Sequence, residues 1–167
     1  VQASGLLQDA GLLDDETRAR RSADLAAMNE LIAERQVVER PELGPPDVEG
    51  GILLVDAPQG SPPTPNWQTA PLFGFMATTL RDDQIVPRLQ RPGTHGTASA
   101  SARFLGQLMI DDPNCFGIRS PAEAIGGSRL SLWDNTLDIA PSAITLMAML
   151  EMLETLDVLS GGEAVDE

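Results

Sequence analysis

The 167-residue chain has no lysine and no tyrosine, a single cysteine, a single histidine, and only four Phe and two Trp. Each shortage removes a class of protein. One cysteine, Cys115, cannot close an intramolecular disulfide, so no disulfide framework holds the fold. A zinc site built on His95 and Cys115 would need carboxylates to complete four ligands, so no metal or other cofactor is expected. Their pairing as nucleophile and base is the sole classical covalent arrangement that the composition permits. Neither segment supports it locally, because P-G-T-H-G reads as a loop and D-P-N-C-F-G as a turn.

Positive charge is also scarce. Eleven arginines face 25 acidic residues, for a net charge of −14. A general electrostatic surface for a phosphate backbone needs a basic patch, so direct nucleic-acid binding is not expected. An anionic membrane surface is disfavoured for the same reason. No uninterrupted apolar run approaches the roughly 18 residues of a spanning helix. The start, V-Q-A-S-G-L-L, lacks the basic-then-apolar pattern of a signal peptide, so none is expected; the setting stays open, with a virion or the cytoplasm as candidates. The glycine fingerprints of nucleotide-binding loops and the G-x-S-x-G elbow are missing. The pairs Asp14-Asp15, Asp82-Asp83 and Asp111-Asp112 lack the alternating ligands of a calcium loop, and each suits a helix end or a solvated loop. Ile125-Gly-Gly-Ser128-Arg129 reads either as a small anion nest or as a plain turn.

What is present is mostly helical. Residues 140–159 have Pro141 in the first turn, Asp138 upstream as a cap and Gly161 as a left-handed stop. Leu146, Met149, Leu153 and Leu156 follow 3-4-3 spacing along one side, while Ile144 and Met147 lie opposite. A helix apolar on two sides needs two neighbours, from its own chain or from another subunit. Residues 14–39 form a second helix, opened by Asp14, Asp15 and Glu16 and stopped by Pro41. Its stripe of Leu25, Met28 and Ile32 continues back to Arg21 and Arg18. After Arg129 the chain has no cation, so Arg18 and Arg21 are expected to face the acidic side of the last helix, within one chain or between two. Exposed pairs of that kind contribute only about 0–1 kcal/mol and would set register.

Between these helices, residues 41–71 hold eight of the thirteen prolines. They are expected to form an ordered irregular arm with one strand at 51–56 and Trp67 as an anchor. Residues 72–80 are ambiguous between helix and buried strand. A third helix is expected over 97–110, with Ala102, Leu105, Leu108 and Met109 as its apolar face. Ser120 to Glu123 reads as a capping box opening a short helix that Gly126-Gly127 close, and 129–133 as a strand. Residues 4–13 suggest a short apolar turn or helix. The expected class is α+β, mainly helical with a few short strands and a long Pro-rich arm, in one domain divided at residues 40 and 71.

For function the sequence suggests a non-enzymatic assembly subunit of a larger protein complex, a virion or shell-like component, with other protein subunits as homo- or hetero-oligomeric partners and no membrane contact. Its expected interface residues are Ile144, Leu146, Met147, Met149, Leu153, Leu156, Trp67, Arg18 and Arg21. The alternatives are a small cysteine-dependent enzyme using Cys115 and His95, or an acidic adaptor for a basic protein.

Overall fold

The computed structural model describes residues 14–38, 46–54, 64–115 and 118–162. The expected turn or helix over 4–13 lies outside them. Among the described residues five α-helices carry the fold: α1 (Asp15–Glu34), α2 (Thr69–Thr79), α3 (Arg91–Leu108), α4 (Pro121–Ala124) and α5 (Ile139–Gly162).

The class is mainly helical with no strand among the described residues, which corrects the α+β expectation. Residues 51–54 contribute one antiparallel bridge, Gln36 to Ile52, and the rest of the expected strand lies outside the described residues. The expected strand at 129–133 is likewise reduced to single bridges, Arg129 to Leu137 and Ser131 to Asn66. The reason is geometric. Each described extended piece is met by one short partner, so no ladder propagates among the described residues.

The segment that sequence periodicity leaves ambiguous is the centre of the molecule. In α2, Ala70, Phe73, Met76 and Ala77 are fully buried, and Leu80 closes the helix in the same environment. It packs most extensively on α5 and then on α3, with α1 at its edge. Such a helix is apolar all round because it has neighbours all round. Pro71 falls in its first turn, where a missing N–H costs nothing, so the Pro-rich arm ends earlier than its composition suggests. From α3 the core receives Ala98, Phe104, Leu105 and Leu108, and from α1 Ile32. Asn29 of α1 reaches the centre by pairing with Thr79, Nδ2 donating to Oγ1 at 2.9 Å.

Helix ends follow local chemistry where that chemistry is complete. Asp14 caps α1, its carboxylate accepting from the Thr17 backbone N–H at 2.6 Å. That bond, with the Thr17 hydroxyl, holds the Asp14 carboxyl below its usual value. At the other end α1 stops at Glu34 rather than near 39. Gln36 is drawn across to α3, its amide donating to Thr97 O at 2.7 Å and Ser101 Oγ at 3.0 Å. The third helix begins at Arg91, six residues before its expected start, because Pro92 suits a first turn and Gly93 and Gly96 lie against open space. Ser120 makes no side-chain cap on α4, so its capping box is not formed. Asp138 does cap α5, accepting from Ala140 N at 3.3 Å, but the helix runs through Gly161 instead of stopping there.

Candidate subunit interface

The inward face of α5 is made of small and hydroxylated residues. Thr145, Ala148, Met152 and Thr155 are buried, at three- and four-residue spacing. Two contacts explain the choice. A Cβ built on Gly74 of α2 would lie 3.3 Å from Ala148 Cβ, so the helices meet where one has no side chain and the other only a methyl. Two turns further, Thr155 Oγ1 donates to Ala77 O at 2.9 Å. A hydroxyl can reach a backbone carbonyl on another helix only when the two backbones approach closely. Leu146, Leu150 and Leu153 are turned outward, and Met152 is the large side chain buried on the inward face.

The outward face is correspondingly apolar. Leu146, Met147, Leu150 and Leu153 are 54%, 68%, 54% and 59% exposed, and Ile139 and Val158 are open as well. Both expected sides of α5 are divided, since Met147 is exposed together with the leucines while Ile144 is not. The Leu146–Leu153–Leu156 row faces solvent, while Ile144, expected on the other side, and Met149 pack against the core. Leu150, Ile139 and Val158 belong to the exposed face, and spacing alone does not single them out. Trp67 is half-buried against the core, and its backbone N–H donates to Leu130 O at 3.0 Å, so it anchors the arm to its own chain.

The cation answering the acidic end of α5 is Arg81, just beyond α2. Its guanidinium pairs with Glu151, and at 3.4 Å with Glu154. Thr78 Oγ1 adds a 3.0 Å bond to the Glu151 carboxylate. Arg18, expected in this role, instead pairs with Asp15 at 3.1 Å on its own helix, and Arg21 is exposed. Burial grades the two bonds of Arg81. Its side chain is 16% exposed and that of Glu151 27%, against 61% for Glu154. Arg81→Met should therefore cost about 1–3 kcal/mol by stranding a half-buried carboxylate, whereas Glu154→Ala should stay within about 0.5 kcal/mol of the parent. Urea unfolding of both variants checks the ranking.

No family model, curated protein or solved structure matches this chain.

Alternative chemistry finds little support in the geometry. His95 is exposed in the second turn of α3, its Nδ1 3.5 Å from Ser99 Oγ. Cys115 follows the other end of that helix, where its thiol bonds Asp112 O at 3.2 Å and Asn114 bonds Met109 O at 2.8 Å. About 20 Å of helix separates His95 from Leu108, so the two groups are not brought together. Among the described residues no three metal-ligating side chains cluster. Asp111 forms a reciprocal cap with Asn114, and Asp83 pairs with Arg88 and Arg91. The Gly126–Gly127 turn is no anion nest. Its amides, with those of Ser128 and Arg129, donate to Ile110 O, Ala124 O, Ser142 Oγ and Leu108 O. A cleft of about 270 Å³ between α1 and α3, floored by Met76 and Val86, has Glu30 as its single ionisable group.

By length and composition α5 is also long and apolar enough to cross a membrane, although no uninterrupted apolar run in the sequence is. Its packing opposes that reading. Glu151 and Glu154 would have to enter hydrocarbon, and the Glu151–Arg81 pair and the Thr155 bond tie the helix to α2.

Proposed function

We propose that this chain is a non-enzymatic structural subunit of a larger protein assembly, of the virion or shell type, and that the outward face of α5 is its contact surface. The observation that carries the reading is the row Leu146, Met147, Leu150 and Leu153, exposed on a helix whose opposite side is already packed. A contiguous apolar patch of this kind on a folded domain marks an interaction site. The scattered single cysteine and histidine offer no competing chemistry, and the acidic balance directs the surface toward protein.

The test is Leu146→Asp combined with Leu150→Asp, compared with the parent chain by light scattering over a concentration range and by circular dichroism. Both side chains lie outside the core, so helicity and melting should change little. The mass of the parent assembly should fall to that of a folded monomer. Equal masses for the two chains would overturn the reading, and so would loss of the fold in the variant, which would place these residues inside.

A further inference from the structure

The exposed side of α5 has the spacing of a helix-to-helix seam. Ile139, Ala143, Leu146, Leu150, Leu153 and Asp157 are all exposed, at steps of four, three, four, three and four residues. That alternation keeps one row of side chains facing a helix laid alongside, each entering a gap between side chains of its neighbour. The row is about 27 Å long.

Among the described helices of this chain, only α5 itself offers a matching row. α2 lies in the core, α4 is a single turn, and the exposed positions of α3 are Pro92, Gly93, His95, Gly96, Arg103 and Gly106. On α1 the exposed Met28 and Leu31 stand among Asp24, Glu30 and Glu34, all exposed as well.

Read in reverse, the α5 row complements itself. With two copies antiparallel and centred at the level of Ala148, Leu146 of each lies against Leu150 of the other. Leu153 then lies against Ala143, a large side chain over a small one, and the two Met147 side chains flank the centre. Asp157 comes opposite Ile139, at the open ends of the row. A parallel pair would instead set Asp157 on Asp157 within the seam, where like charges lose water and repel. The end that receives Asp157 also carries Asp134, Asp138 and Arg129, whose guanidinium bonds Asn135 Oδ1 and Gln107 O. Charge therefore opposes the parallel direction, and the apolar layers supply the attraction.

Resting on the assembly reading above, we infer that α5 of a second copy of this chain occupies the face, antiparallel about a two-fold axis. Both copies use the same surface, so the contact closes as a dimer and does not by itself continue into a ring or filament.

Cross-linking tests this in the full chain, with Cys115→Ser removing the native thiol. Ala143→Cys and Leu153→Cys alter exposed positions, so both variants should fold. Each oxidised alone should remain a single chain on a non-reducing gel, and an equimolar mixture should give a disulfide-linked pair. Ile139→Cys and Asp157→Cys repeat the test at the ends of the row, leaving its leucine layers whole. Disulfide pairs within either variant alone, in place of the mixed pair, would overturn the antiparallel docking. So would the absence of any disulfide in both mixtures, and if self-association were still lost with Leu146→Asp and Leu150→Asp, the α5 surface would stand with a different occupant. Self-association that survives those two substitutions, or a parent chain monomeric at every concentration, would overturn both readings.

Discussion

Gly50→Ala is expected to cost roughly 3–5 kcal/mol, a large part of the 5–15 kcal/mol that holds a typical domain together. Gly50 has φ +88, in the left-handed region that a β-carbon disfavours. It also lies against the backbone of α3, where an added Cβ would overlap Ala100 O and Ala100 C, and a helix backbone cannot move aside as a side chain can. The position joins three segments. Gly50 N–H donates to Val37 O at 2.8 Å, and Gly50 O accepts from Ser101 Oγ at 2.8 Å and from the Gln36 amide at 3.3 Å. Displacing it would open the bridge beyond α1 together with the buried hydroxyl on α3. Gly126 separates the two causes, because it has φ +85 with nothing within 4 Å of the place a β-carbon would take. Gly126→Ala should cost only the conformational part, about 1–2 kcal/mol. Denaturant midpoints of the two variants, measured side by side, check this, and equal losses would show that the close approach at Gly50 contributes nothing.

The second large effect concerns the seam between α2 and α5. Ala148→Leu should destabilise by about 3 kcal/mol, at the upper end of overpacking effects. Gly74 faces Ala148, and the gap is filled to the point where one further carbon would sit 3.3 Å away. Three added carbons at this close crossing would press the helices apart, and separating them would break the Thr155 bond to Ala77 O and disturb the Arg81–Glu151 pair. The outward Leu150, substituted by Ala, should stay within about 0.5 kcal/mol in the monomer. Thermal melts at low protein concentration distinguish the two. A larger loss from Leu150→Ala than from Ala148→Leu would mean that α5 is turned the other way.

The contrast between these two residues shows where sequence reasoning stops. Periodicity finds α5 and its two apolar sides, since three- and four-residue spacing is a property of the helix itself. It cannot rank the sides. Leu is more hydrophobic than Ala or Thr, so by sequence alone the leucine row reads as the natural core face. Burial at a close helix crossing is decided by how near the backbones come, which depends on Gly74, distant in sequence. The same limit applies to charge. Arg18 and Arg21 are reasonable cations for an acidic helix, but Arg81 stands where α2 ends beside Glu151, and only packing reveals that neighbour. The central helix shows the limit most plainly. An apolar segment of nine residues carries no period that distinguishes a buried helix from a buried strand.

By itself the sequence determined the acidic charge, the lack of a disulfide framework or complete catalytic motif, the two long helices, the acidic start of α1 at Asp14 and the cap at Asp138. These depend on composition and on residues within a turn of one another. Tertiary structure alone decided that α2 is the centre, that the extended pieces stay single bridges, and that α5 presents its leucines outward. Each of those depends on contacts between segments tens of residues apart, where the distance of approach, and not the hydrophobicity of either segment, selects what is buried.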